Sequence, residues 1–231
     1  MANRLRIFIP AFAIILALIL PHKAKAQEDY RFDIGVGLGM TGYLGDANTA
    51  NLFQNPGFDG ELLFRYIFNK RFNFKTNFYV GTLRGNSAQM TDVFPSHQAF
   101  KFSTTFYELG EAVEFHFFNY GMGQTYERLK RWTPYIVAGV SVMAWTVDKK
   151  PGVSFAIPFG VGFKFKPALR WNLGLEFLMK KTFTDRLDGT DLQDPHQIKS
   201  GFMKNTDWYS TLSVTISYEF SKRCAVCHYK D

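Results

Sequence analysis

Residues 208–220 read Trp208-Tyr209-Ser210-Thr211-Leu212-Ser213-Val214-Thr215-Ile216-Ser217-Tyr218-Glu219-Phe220, and their order decides the fold. Trp208, Leu212, Val214, Ile216, Tyr218 and Phe220 alternate with Tyr209, Thr211, Ser213, Thr215, Ser217 and Glu219, and Ser210 is the one lapse. A period of two belongs to an extended strand, whose successive side chains point to opposite faces. A soluble sandwich shows the same alternation. Aromatics at both ends of a strand this long, with a terminal Phe, fit better a strand that crosses a membrane, one face in hydrocarbon and the other in a polar lumen.

Working outward, the same pattern recurs seven times. The first strand, Tyr30 to Met40, sets Tyr30, Phe32, Ile34, Val36 and Leu38 against Asp33, Gly35, Gly37 and Gly39. These glycines alternate along a strand with no helix after them, so they leave room in a narrow barrel and do not form a phosphate-cradling loop. A second strand near 60–68 points Leu62, Phe64 and Tyr66 outward and Arg65 inward, and a turn at Asn69 to Arg71 leads to a third that begins at Phe72. The fourth, 105–118, carries Glu108, Glu114 and His116 inward, with Glu111 on the apolar face, where a bulge, a protonated group or contact with another protein is expected. A fifth (133–145), a sixth (155–165, with Pro158 accommodated by a bulge) and a seventh (169–179) complete the set. Short and long connections alternate, and the strand number is even. The expected fold is an all-β, eight-stranded antiparallel transmembrane β-barrel, with short periplasmic turns and longer outer loops. At eight strands the lumen is about wide enough for side chains, so Arg65, Lys75, Lys164 and Lys180 should face Glu108, Glu114, Glu176 and Glu219 inside a filled barrel.

The ends of the chain set its compartment. Residues 1–26 have Arg4 and Arg6, an apolar Ile7–Leu20 core and the small-residue site Ala24-Lys25-Ala26, the layout of a cleaved signal peptide. The apolar run falls short of the roughly 20 residues a spanning helix needs. That leaves a barrel over 27–220, a periplasmic tail over 221–231 and an outer-membrane location. Removing the leader, with Arg4, Arg6, Lys23 and Lys25 and no acid, lowers the formal charge of +7 to +3, which gives nucleic-acid binding little support.

Several stretches, in their order and spacing, carry a family likeness: Gly35-Val36-Gly37-Leu38-Gly39 before Gly42-Tyr43-Leu44-Gly45-Asp46, then Arg65-Tyr66 and Gly81-Thr82-Leu83-Arg84-Gly85-Asn86. Thr133-Pro134-Tyr135, Pro158-Phe159-Gly160-Val161-Gly162, Trp171-Asn172-Leu173-Gly174-Leu175-Glu176, Lys181-Thr182-Phe183-Thr184-Asp185-Arg186 and Asp207-Trp208-Tyr209 follow. Over nearly the whole mature chain this resembles the PorG family, outer-membrane barrels of the Bacteroidetes type IX secretion system. The resemblance implies a non-enzymatic component that associates from its periplasmic side with the lipoprotein and partner subunit of the periplasmic ring. The contact would involve the 119–132 connection, where a helical turn is expected, the Asn69 to Arg71 turn and the tail from Ser221 onward. Tyr126, Arg128, Lys130, Arg131, Lys222 and Arg223 would form a basic rim toward acidic partner surface, or snorkel to lipid headgroups. The alternative is a small barrel for solute passage or surface binding.

Other candidate chemistry fits its setting poorly. Cys224-Ala225-Val226-Cys227-His228 has the spacing of c-type haem attachment, but three residues follow it and nothing would enclose a haem; a disulfide of Cys224 and Cys227, within the tail or to a partner, suits an oxidising compartment. Two Cys and one His fall short of four zinc ligands. Asp185, Asp188, Asp191 and Asp194 lack calcium-loop spacing and read as a solvated loop. His116 with Glu114 and Glu108 reads as a lumen hydrogen-bond network, since no matching nucleophile accompanies it. No cofactor and no catalytic set is expected.

Overall fold

The computed structural model describes residues 30–44, 55–86, 101–123, 128–147, 150–184 and 207–222. They form β1 (Tyr30–Leu44), β2 (Gly57–Ile67), β3 (Phe72–Asn86), β4 (Lys101–His116), β5 (Trp132–Val147), β6 (Lys150–Ala168), β7 (Trp171–Thr182) and β8 (Trp208–Lys222). Each strand pairs antiparallel with the next, β1 pairs with β8, and the sheet closes into an eight-stranded barrel. The described residues contain no helix.

The pleat sorts the side chains as the alternation requires. On β8, Val214 is 60% exposed while its neighbours Ser213 and Thr215 are buried, and Phe159 and Phe163 of β6 also face out. An outer wall this apolar would be an aggregation surface in water. In lipid it is the required surface, and closure leaves no backbone edge unpaired. Aromatic rings gather where the strands reach the short turns: Phe32 stacks on Phe64 at 5.5 Å, Trp132 on Phe163 at 5.8 Å, and Trp171 meets Tyr218 edge-on at 5.2 Å. That is the placement of an interfacial aromatic girdle. At the β2–β3 turn, the Asn69 side-chain oxygen accepts from the N–H groups of Arg71 and Phe72, both at 2.8 Å, which fixes the reversal.

Several expectations are corrected. β1 runs on to Leu44 and β2 starts at Gly57, so Tyr43 and Asp59 belong to the wall and not to a loop. Glycine at 57 permits this, because a Cβ there would run into the Thr82 carbonyl. Leu169 lies in the β6–β7 turn instead of opening β7. Pro158 sits in no bulge: the β5–β6 register is the same on either side of it, from Ala138↔Phe159 to Ser141↔Ala156, and only the ladder pairs between are missing, as a residue without an N–H would cause. The irregularity of β6 falls between Phe165 and Ala168. Glu111 also lies in unbroken register, opposite Thr76 and Val140, and its outward carboxylate accepts a 2.8 Å hydrogen bond from the Thr76 hydroxyl.

Val214→Arg places a charge near the middle of the outer wall. It should destabilise the bilayer-inserted barrel by about 2–4 kcal/mol, read as a lower urea midpoint in lipid vesicles; an unchanged midpoint would mean that this face does not meet hydrocarbon.

Candidate functional site

Inward positions on β2, β3, β4, β6, β7 and β8 carry long charged side chains, and the glycines of β1 leave them the bore. Arg65, Lys75, Glu108, Glu114, Lys164, Glu176, Lys180 and Glu219 are all buried in the lumen. They are joined there by Asp33, Asp59, Glu61 and Lys166, which had no assigned partner role in the sequence.

From the end with short turns the lumen is layered. At the mouth, Lys166 pairs with Glu219, and Asn172 donates to the same carboxylate at 3.0 Å. Tyr120, from the β4–β5 connection, folds beneath it: its hydroxyl donates to Asn172 at 2.8 Å and its ring meets the His116 ring edge-on at 5.6 Å. Burial under the barrel, followed by the nearby Glu219, pushes the Tyr120 hydroxyl well above its ordinary pKa. A cavity of about 60 Å³ remains between Tyr120, His116, Lys166 and Asn172. One layer up, the Arg65 guanidinium donates to Glu114 at 2.8 Å and to Asp33 at 3.0 Å, while Lys164 bonds the other oxygen of Glu114. Next, Lys75 pairs with Glu176, which also accepts from the Tyr135 hydroxyl at 2.7 Å. Above that, Lys180 and the Tyr209 hydroxyl both reach Glu108 at 2.7 Å, and the Lys180 ammonium lies 3.6 Å from the Tyr79 ring centre. Toward the end with the long loops no buried cation remains among the described residues. Leu83, Phe106, Met143 and Trp145 fill the bore with Tyr43, whose hydroxyl donates to Asp207 at 2.7 Å.

His116 contacts Lys164 at 3.3 Å and Asn73 at 3.5 Å, within the lumen hydrogen-bond network.

The rim residues are placed differently. Arg128, Lys130 and Arg131 are exposed on the β4–β5 connection, and Lys222 is exposed at the end of β8. Tyr126, Arg223, Cys224 and Cys227 lie outside the described residues. The described ends of the connection form no helical turn. Tyr120 and Lys130 make an isolated bridge, with Gly121 N–H donating to the Lys130 carbonyl at 3.0 Å and Lys130 N–H to the Asn119 carbonyl at 2.9 Å. The Lys130 ammonium sits 3.7 Å over the Phe118 ring and 5.4 Å from the Trp132 ring.

Of the residues not singled out in the sequence, Glu61 and Lys166 were within reach of it. Glu61 shares the inward parity of Arg65, and Lys166 that of Lys164 once β6 is carried through Pro167. Tyr120 had no signal, because a single bridge outside the strands positions it.

With this geometry in hand, comparison with known proteins is informative about fold and family. The family described as domain of unknown function DUF6089 matches residues 10–229. No curated protein matches the chain. Among solved structures, Neisserial surface protein A is similar at a TM-score of 0.53 and 13% identity, over 82% of this chain and 97% of that one. Ail of Yersinia pestis, in complex with the heparin analogue sucrose octasulfate, aligns at 0.45 and 10% identity over 84% and 99% of the two chains. The outer membrane protein OprG of Pseudomonas aeruginosa aligns at 0.45 and 10% over 84% and 98%. The first of these likenesses is one of fold: a small outer-membrane barrel.

Glu114→Gln would leave Arg65 and Lys164 short of a buried counter-charge and should destabilise the barrel by about 3–5 kcal/mol. Glu219→Gln, at the 8% exposed mouth, should cost clearly less. Denaturant midpoints in detergent compare the two, and equal losses would contradict the layered lumen.

Proposed function

We propose that this chain, which belongs to the DUF6089 family, is an outer-membrane barrel that serves as a structural, non-enzymatic component of a type IX protein secretion system, associating with the ring lipoprotein and its partner subunit from the periplasmic side. The ordered motifs from Gly35 through Tyr209 that resemble the PorG family carry this reading. The apolar wall and aromatic girdle suit a membrane anchor. At the periplasmic end Arg128, Lys130 and Arg131 stand exposed on a connection tied to the barrel through Tyr120, a semi-rigid basic surface that an acidic partner would match.

Snorkelling accounts for basic residues at a rim equally well on geometry alone, and Lys130 over two aromatic rings has that character. The two uses differ in what they predict for a partner. Solute passage takes second place because ion pairs and the Phe106, Met143 and Trp145 layer occupy the bore.

Affinity purification from detergent-solubilised membranes tests the proposal. The wild-type barrel should bring down the ring lipoprotein, and the triple change Arg128→Glu, Lys130→Glu and Arg131→Glu should weaken recovery about tenfold, equivalent to about 1.4 kcal/mol, more strongly at low salt than at high. No ring subunit with the wild-type barrel would refute the secretion role, and undiminished recovery with the variant would leave the rim to the lipids. In planar bilayers the protein should be electrically silent; steady conductance would favour solute passage.

A further inference from the structure

The lumen of the described residues holds five cations and seven carboxylates, with Asp207 apart at the outer end. Five ion pairs use every cation: Arg65 with Asp33, Lys75 with Glu176, Lys164 with Glu114, Lys166 with Glu219, and Lys180 with Glu108. Each is 3.0 Å or shorter. Asp59 and Glu61 are left over. They occupy successive inward positions of β2 and are 5% and 2% exposed. None of their four oxygens has a hydrogen-bond partner. Lys75 lies 3.7 Å from a Glu61 oxygen but is committed to Glu176, and Lys180, whose field reaches Asp59, is committed to Glu108.

Their surroundings are unusual in the same way. Asp59 lies between Gly39 of β1 and Gly81 of β3, and Glu61 between Gly37 of β1 and Tyr79 of β3. A side chain at Gly39 would start 2.5 Å from an Asp59 oxygen, so the carboxylate leans across β1 through the space the glycine leaves. On the far side of Gly39 is Ser213 of β8, with Thr211 one inward position beyond it. The hydroxyls of Ser213, Thr211 and Tyr79 are likewise buried and without partners. Four orphaned carboxylate oxygens thus lie against the glycines of β1, with orphaned hydroxyls on the flanking strands β3 and β8. Two uncompensated carboxylates away from water are costly unless a positive charge joins them.

We propose that Asp59 and Glu61, with the hydroxyls of Ser213, Thr211 and Tyr79, form an intramural site for a hard divalent cation of the calcium type. The donors are all oxygen, with no nitrogen or sulfur to favour a transition metal. The two surplus negative charges equal the charge of one such ion. Calcium accepts irregular geometry and fills its shell with hydroxyls and solvent. No group of three or more His, Cys, Asp or Glu with metal-holding geometry occurs among the described residues, so this site has two charged ligands, and its affinity should be modest.

The test uses the refolded barrel in detergent after chelator treatment. Equilibrium dialysis against calcium should give about one ion per barrel by the charge balance and ligand count of an oxygen site, and calcium should raise the thermal midpoint, read by heat-modified gel mobility, in a saturable way. The double variant Asp59→Asn, Glu61→Gln should bind no calcium, show no calcium-dependent midpoint, and be more heat-resistant than the wild type in chelator, because the repulsion is gone. Ser213→Ala should keep the wild-type midpoint in chelator and bind calcium several-fold more weakly. Failure of the wild type to bind calcium, an equal shift with sodium at matched ionic strength, or full binding by the double variant would each overturn the site and leave its charge to protons.

Discussion

The seam between β1 and β8 is the constraint from which everything else in this barrel follows. In hydrocarbon an unpaired N–H or C=O costs several kcal/mol, so the last strand must find the first. The two meet over a long run, from Tyr30↔Lys222 to Leu44↔Trp208. The seam brings Gly35, Gly37 and Gly39 against Ser217, Thr215 and Ser213, and a Cβ at Gly35 would collide with Ser217. A wall this thin on one side gives the space into which Arg65, Lys75, Lys164 and Lys180 extend from the others.

Those charged chains cross the bore instead of following the sheet. Arg65 of β2 reaches Glu114 of β4, Lys164 of β6 reaches the same carboxylate, and Lys75 of β3 reaches Glu176 of β7. Buried pairs of this kind seldom add much stability over well-packed apolar residues. What they supply here is mutual dependence of distant strands: a slip of one residue turns every inward side chain outward and separates pairs on both sides of the barrel. The tyrosine hydroxyls on Glu176 and Glu108 add direction to the same links.

The fold was legible in the sequence because a strand has two faces and a barrel assigns each a different solvent. Alternation around Val214 and Phe163 was enough to count strands and to say which charges go inside. It could not pair them, since Lys75 and Glu176 sit on strands that never touch in the sheet. Strand ends were misread where wall residues have loop composition: Gly57 and Asp59 look like a turn, yet they open β2. Pro158 looked like an interruption, yet the β5–β6 register is the same on either side of it and it pairs in place with Lys180 of β7. Tyr120 was out of reach altogether, being set by tertiary bonds to Asn172 and the Lys70 carbonyl.

The apolar layer of Leu83, Phe106, Met143 and Trp145 divides the molecule unequally. On the side of the long loops the one buried charge among the described residues is Asp207, capped by the Tyr43 hydroxyl; on the other side, polar groups continue down to the cavity beside Tyr120. The bore is thus a blind well, stoppered at the end with the long loops and wettable from the end with the short turns. Any ion or water that reaches the buried pairs therefore arrives through the end with the short turns.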